Sequence, residues 1–114
     1  MSIQMNTPHP LTSPSRETFD KLVARASDLS GIPAEELLAP TRGTKRTSVW
    51  RMCIFYILRT MGATYQSIGE LFDRHYSTIM HGCDKIEGQA ANPEVIKIIY
   101  KLTKKNGDTN DLKS

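Results

Sequence analysis

The stretch TYQSIGELFDRHYSTIMHGCDKI, residues 64–86, contains two short helical patterns separated by a tight connection. Thr64 can cap a first helix that ends at Phe72, because a threonine hydroxyl accepts the free backbone N–H groups of a first turn. The letters DRHY form the connection, and apolar residues at helical spacing then predict a second helix from about Ser77 to Glu87. This order is the layout of a helix-turn-helix, which places its second helix in the major groove of duplex DNA.

The start of the second helix carries polar side chains that suit the edges of base pairs. Arginine can donate two hydrogen bonds to guanine, a threonine methyl group can contact a thymine methyl group, and a helix N-terminus attracts phosphate. The candidate residues are Arg74, His75, Tyr76, Ser77, Thr78 and His81. The pattern also fits two amphipathic helices that merely complete a core, with Tyr76 packed at the turn and His81 bonded to a backbone carbonyl.

Charge is distributed unevenly along the chain. No Asp or Glu occurs from Leu37 to Gly69, and the acidic residues lie in the flanks. The cations of this acid-free segment are Arg42, Lys45, Arg46, Arg51 and Arg59. The formal net charge is only +3, but a segregated basic segment favours a polyanionic partner. A merely solvated loop is the alternative for the stretch TRGTKRTS at 41–48.

The remaining apolar patterns have helical spacing, and none alternates with the period of two that a strand requires. They predict further helices from Ser13-Pro14 to about Leu29, over 33–38, from about Ser48 to Met61 and from Asn92 to about Lys104. This spacing also places Leu29, Met61 and Ile96 on inward faces. The sequence therefore predicts an all-α domain of about five to six helices.

The length of 114 residues suits one domain. We expect the folded part to span 15–104, between flexible tails at 1–14 and 105–114. No leader with a basic start and an apolar core is visible, and no apolar run approaches the roughly 20 residues of a membrane span. We therefore expect a cytoplasmic, nucleoid-associated protein.

Several kinds of chemistry lack the residues that they require. Cys53 and Cys83 are expected to be buried reduced thiols, and together with His75 and His81 they fit no zinc-ligand spacing. No nucleophile is paired with a base, and the phosphate-binding pattern GxxxxGK[ST] does not occur. We expect no metal, no cofactor, no bound nucleotide and no enzymatic activity.

The stretch from about Phe19 to Leu102 resembles the C-terminal DNA-binding domain of the bacterial chromosomal replication initiator DnaA. That family has a short leucine-containing helix, a basic loop, a long helix with arginine at its start, an Ile-Gly pair, and a signature close to G-R-D-H-S/T-T-V-x-H-A-x-x-K-I. The matching pieces here are Leu37-Leu38, Arg42 to Arg46, Arg51, Arg59, Ile68-Gly69, Phe72, Arg74, Ser77-Thr78-Ile79, His81 and Lys85-Ile86.

The resemblance implies a helix-turn-helix domain that binds double-stranded DNA as a single copy. It implies that Arg42 enters the minor groove, with Lys45 and Arg46 beside it, and that Arg51 and Arg59 contact the DNA backbone. It implies a further contact by Gln66 on the first helix. The residues implied to contact the major groove are Arg74, His75, Tyr76, Ser77 and Thr78. We expect a stand-alone, sequence-specific module that acts as a transcriptional regulator or at a replication origin.

Three departures from the family pattern bear on the target sequence. His75-Tyr76 replaces the family's Asp-His pair, the turn after Phe72 is one residue shorter, and the loop between Arg42 and Arg51 is one residue longer. A protein altered at these positions need not bind the initiator's own DNA box. The alternative hypothesis is a protein-interaction module that keeps the fold and binds DNA only non-specifically.

Overall fold

The computed structural model describes residues 15–104, and this part of the chain forms six α-helices and no strand. The helices are α1 (Arg16–Ser30), α2 (Ala34–Leu38), α3 (Lys45–Thr60), α4 (Tyr65–Phe72), α5 (Tyr76–Glu87) and α6 (Pro93–Thr103). The predicted all-α class is confirmed. The predicted tails at 1–14 and 105–114 lie outside the described residues. Among the six helices, none combines the length and the apolar character that crossing a bilayer requires.

The start of α3 differs from the prediction because a different residue caps the helix. The hydroxyl of Thr44 accepts the backbone N–H of Thr47 at 3.1 Å, so the helix begins at Lys45 and not at about Ser48. Lys45 and Arg46 therefore belong to the first turn of α3, and the irregular loop is shorter than the polar stretch suggests. This shift brings two cations onto a helix.

The starts of α4 and α6 agree with the predicted caps. Thr64 and Asn92 accept backbone N–H groups of their first turns at 3.0 and 2.9 Å. The first helix is capped by Ser15, whose hydroxyl accepts a backbone N–H at 3.0 Å, whereas the sequence favours Ser13. Ser13 itself lies outside the described residues.

The central element of the core is α3, which contacts each of the other five helices. Ile54 and Leu58 of α3 are completely buried. The ring of Phe72 meets those of Phe19 and Phe55 edge to face, with centroids 5.2 and 4.8 Å apart. Each such pair adds about 0.5–1.5 kcal/mol beyond the burial of its area. These contacts anchor the end of α4, and with it the turn that leads into α5.

Three apolar residues that were predicted to face inward are exposed, so those predictions are wrong. Met61 follows the last residue of α3, where the backbone leaves helical spacing, and 46% of its surface is exposed. Ile96 is 51% exposed because α6 packs through Val95 and Ile98, which lie on another face of the helix. Leu29 is 43% exposed in the last turn of α1.

Both cysteines lie in the core as free thiols, which agrees with the sequence-based expectation. Burial raises the pKa of the Cys53 thiol to about 12 and that of the Cys83 thiol to about 11. The two side chains are therefore uncharged at neutral pH and behave as small apolar groups.

The contact between Gly69 and the turn gives a test of the fold. A Cβ atom at Gly69 would lie 2.5 Å from the carbonyl oxygen of Arg74, a distance that forces the turn to move. We expect Gly69→Ala to lower the free energy of unfolding by about 1–3 kcal/mol, the usual cost of overpacking. Urea or thermal unfolding measures the change.

Gly88→Ala is the matched control. A Cβ atom there would lie 3.5 Å from its nearest neighbour, which is ordinary contact, and the backbone is already right-handed helical. We expect this variant to be as stable as the parent or slightly more stable. Equal stability of the two alanine variants would contradict the described packing of the turn.

Candidate nucleic-acid interface

A turn of three residues, 73–75, joins α4 to α5 and sets the direction in which α5 leaves. Asp73 ends α4 in the left-handed conformation, with φ 56° and ψ 49°. Aspartate adopts this conformation more readily than most residues. The backbone N–H of Arg74 then donates to the carbonyl of Gly69 at 2.8 Å, which closes the end of the helix. Helix, turn and helix thus follow one another where the sequence predicts them.

His75 caps α5 with its imidazole ring. The backbone N–H of Ser77 donates to Nδ1 of His75 at 3.2 Å, and the Ser77 hydroxyl lies 2.8 Å from the same nitrogen. Because Nδ1 accepts the backbone N–H, the ring proton belongs on Nε2 and the cap requires a neutral imidazole. The helix consequently begins at Tyr76, one residue earlier than predicted.

The rings of His75 and Tyr76 lie against each other at the exposed start of α5. Their centroids are 4.5 Å apart and their planes are tilted by 30°. Tyr76 is 49% exposed, so it does not have the packing role that the alternative interpretation gives it. Both residues present aromatic surface and polar atoms to the solvent, a combination that suits contact with bases and sugars.

Beyond its first turn, α5 presents an exposed polar stripe. Thr78, His81 and Lys85 follow one another at spacings of three and four residues, and all three are exposed. Ser77 is half-buried beside the cap. Lys85 was not among the predicted site residues, although its spacing from His81 places it on the same face of the helix.

A groove separates this stripe from the start of α3, and we name it the basic groove. The predicted site residues that line it, with Lys85 added, are Arg42, Lys45, Arg51, Arg74, Thr78, His81 and Lys85. Ser48, Met52, Asn92 and one acidic residue, Glu94, contribute to its walls. The structure therefore brings part of the basic segment and part of the second helix of the helix-turn-helix to a single surface. The predicted site residues that do not line the groove are Arg46, Arg59, Gln66, His75, Tyr76 and Ser77.

The cations at the start of α3 are exposed and unbalanced. Arg42, Lys45 and Arg46 form no ion pair with any carboxylate of the described chain, and no acidic residue lies in the first turn of α3. Cations at a helix N-terminus oppose the helix dipole, typically by about 0.3–1 kcal/mol each. Arg46 also donates to the carbonyl of Ser30. Such an arrangement favours an anionic ligand at this place.

Arg51 lines the basic groove, but its guanidinium is bonded to the protein backbone. It is buried, with only 4% of its surface exposed. Its guanidinium donates to the carbonyl oxygens of Leu37 at 2.7 Å, Glu36 at 2.8 Å and Arg42 at 3.1 Å. Three of the five guanidinium N–H groups are used in these bonds, and the burial of the side chain limits the access of a phosphate to the other two. The predicted DNA contact of Arg51 stays a prediction.

The guanidinium of Arg74 also faces the backbone of the loop before α3. It donates to the carbonyl of Ala39, and its second terminal nitrogen lies 3.5 Å from the carbonyl of Pro40. Its Nε is buried and bonds to no group of the described chain. Base reading by Arg74 likewise stays a prediction.

Arg59 and Gln66 lie outside the basic groove. Arg59 donates to the carbonyl of Ala63 at 3.0 Å, and its guanidinium stands 4.6 Å from the ring centroid of Tyr65. Gln66 is exposed in the first turn of α4. These contacts place Arg59 over the junction of α3 and α4, next to the helix that carries Gln66. Within residues 15–104, no three His, Cys, Asp or Glu side chains gather to hold a metal ion.

Comparison with known proteins assigns the same region of the chain to a family. A family described as bacterial dnaA protein helix-turn-helix matches residues 19–86, from α1 to the end of α5. The chain is also similar to the chromosomal replication initiator protein DnaA of Treponema denticola, with 33% identity over 88 residues. That alignment covers 75% of this chain but only 19% of the relative. No solved structure matches the chain.

The imidazole cap of α5 can be tested separately from any ligand. We expect His75→Ala to lower the free energy of unfolding by about 1 kcal/mol, because the N–H of Ser77 loses its acceptor. The midpoint of thermal unfolding should fall by about 4–8 °C in a domain of this size. His75→Asn supplies an amide oxygen in place of Nδ1 and should keep most of the stability. Equal loss in both variants would show that the ring does not act as a cap.

Proposed function

The chain belongs to the bacterial DnaA helix-turn-helix family, and from that premise we propose that it binds double-stranded DNA in a sequence-specific manner. The observation that carries this proposal is the basic groove, in which the exposed stripe of α5 faces the cations that precede and begin α3. One element offers polar groups for base edges, and the other offers charge for phosphates.

The proposed reading element is the first half of α5. Tyr76, Thr78 and His81 are exposed there and carry hydroxyl, methyl and imidazole groups, which suit the varied donors, acceptors and methyl groups of the major groove. His75 and Ser77 place the start of the helix, and its N-terminus adds an attraction for phosphate. Lys85 extends the same face toward the DNA backbone.

The proposed positioning contacts come from Arg42, Lys45 and Arg46. These side chains are exposed and form no ion pairs with described carboxylates, so phosphates or a narrow minor groove can attract them without first breaking a salt bridge. Arg59 and Gln66 remain candidates for contacts at the edge of the site. Arg51 and Arg74 are left out of this set because their guanidinium groups bond to backbone carbonyls and their side chains are buried or half-buried, whereas Arg46, which also donates to a carbonyl, is exposed.

We propose a role in transcription or at a replication origin, with one copy of the chain per DNA site. The relative from Treponema denticola is named as a replication initiator, but this chain covers only 19% of its length. His75 and Tyr76 lie at the start of the reading helix and differ from the family's pattern, so we infer a target sequence of the chain's own.

Selection from a pool of random duplex DNA at moderate salt tests the proposal. We expect a single enriched motif, bound with an affinity that falls steeply as salt rises, because phosphate contacts release counterions. Similarity of the motif to the initiator's box would indicate a replication role, and a different motif would indicate a separate operator. No enrichment, together with binding that is lost at modest salt, would refute sequence-specific binding and favour the protein-interaction module.

Two classes of variant separate reading from positioning. Thr78→Ala and Tyr76→Ala should reduce the preference for the enriched motif, by roughly 5- to 150-fold for a contact of about 1–3 kcal/mol. Arg42→Ala and Lys45→Ala should weaken binding to all sequences and reduce the salt slope by about 1 each. Lys97→Ala, an exposed cation on α6 outside the groove, is the control and should change neither quantity. Identical behaviour of the two classes would contradict the assigned roles.

A further inference from the structure

The backbone from the end of α2 through the loop before α3 is held by two arginine side chains. Arg51, from α3, donates to the carbonyls of Glu36, Leu37 and Arg42. Arg74, from the turn of the helix-turn-helix, donates to the carbonyl of Ala39. The loop of residues 39–44 is therefore attached by hydrogen bonds both to α3 and to the turn that precedes α5.

The burial of these two guanidinium groups lowers the stability of the free protein, so we look for a role that they have beyond packing. Burial lowers the pKa of both guanidinium groups, and the positive charge of Arg74 lowers that of Arg51 further. Neither arginine forms an ion pair with a carboxylate of residues 15–104. The Nε of Arg74 is buried and unbonded to any described group. Backbone carbonyls supply the hydrogen bonds of these two charges, and the negative charge of Glu36 partly offsets the cost of burying Arg51.

Resting on the proposed function, we propose that Arg51 and Arg74 form a brace that fixes the loop 39–44 relative to the start of α5. Both are positioning residues, and neither reads a base. The loop presents Arg42 and α5 presents Thr78, so the brace makes these two DNA-contacting elements one rigid unit. The matching ligand is a composite duplex site whose two contacted segments keep one spacing and one helical phase.

The geometry favours a brace over direct phosphate binding by the same arginines. All three contacts of Arg51 are to backbone oxygens at 2.7 to 3.1 Å, and its side chain is almost completely buried. A planar guanidinium can bond to two carbonyls of one segment at once, whereas a lysine ammonium is a point charge on a flexible stem. Arg74→Lys therefore keeps the charge and removes the two-point attachment.

The first test uses the full chain without DNA. Backbone amide relaxation is measured for the loop in the parent and in Arg74→Ala. We expect backbone order parameters of about 0.85 for the loop in the parent and below about 0.6 in the variant, with the core helices unchanged. Arg25→Ala is the control, because Arg25 also bonds to a backbone carbonyl, that of Lys101 at 2.8 Å, but joins α1 to α6. An equally rigid loop in Arg74→Ala would overturn the proposal.

The second test uses the enriched duplex and a copy with one base pair inserted between the segments that the loop and α5 protect in footprinting. We expect the parent to bind the lengthened site roughly 5- to 150-fold more weakly, the range of one disrupted base contact. In Arg74→Ala this ratio should fall toward one, and Arg74→Lys should behave in the same way. Full retention of the ratio in Arg74→Ala, or its full rescue in Arg74→Lys, would contradict the brace.

The two tests also distinguish the brace from the proposed function. A parent protein that enriches no duplex refutes sequence-specific binding, and the relaxation measurement then decides on the brace alone. Thermal unfolding of each variant is measured alongside. If Arg74→Ala does not fold, Arg74→Gln is used in its place, since a glutamine amide still donates hydrogen bonds but cannot span the distance to the loop. This variant should show the same mobile loop. A rigid loop in this variant would refute the brace.

Discussion

Backbone carbonyl groups at the end of a helix and in the loop that follows need hydrogen-bond donors, and in this protein arginine side chains supply them. Arg51 satisfies carbonyls at the end of α2 and in the following loop, and Arg74 satisfies another in that loop. A buried carbonyl that loses its donor costs about 1–3 kcal/mol. The conformation of the loop thus depends on hydrogen bonds from residues outside it. In this conformation the side chains of Arg42 and Lys45 are exposed to solvent.

The turn between α4 and α5 obeys a second constraint, which is steric. The carbonyl of Arg74 approaches Gly69 so closely that no side chain fits there, and Asp73 reverses the chain in the left-handed conformation. The imidazole ring of His75 then caps the next helix. With α5 in the major groove, as we propose, an aspartate cap would place a full negative charge beside the phosphates. The imidazole satisfies the same backbone group without that charge, and its contact with the Tyr76 ring adds aromatic surface at the start of α5.

Local signals in the sequence predict the helices of the helix-turn-helix, but they do not predict the positions of the arginine side chains. Thr64 and Asn92 are strong caps before clear apolar patterns, so α4 and α6 begin where predicted. The start of α3 was misplaced because Thr44 and Ser48 are both acceptable caps, and the choice depends on how the loop packs. The burial of Arg51 could not be foreseen, because its acceptors are backbone carbonyls of another segment and leave no mark in composition or periodicity.

The difference between local signals and tertiary packing also explains which parts of the candidate site could be predicted from the sequence. The acid-free segment and the polar start of α5 could both be recognised from the sequence, but their meeting in one groove is a result of tertiary packing. Lys85 was missed because it belongs to that groove only through its register with His81. Exposure of Met61 and Ile96 was missed for a related reason, since helical spacing predicts one inward stripe but not where the stripe ends or which side a neighbouring helix covers.

Amide chemical-shift mapping of the full chain, titrated with the duplex that selection enriches, locates the DNA-binding surface residue by residue. We expect the largest changes on the loop 39–44, on Lys45 and Arg46, and on residues 75–81, while the outer face of α6 around Tyr100 stays unchanged. Changes concentrated on α6 or α1, with the basic groove unaffected, would contradict the claim that this groove is where the protein binds DNA.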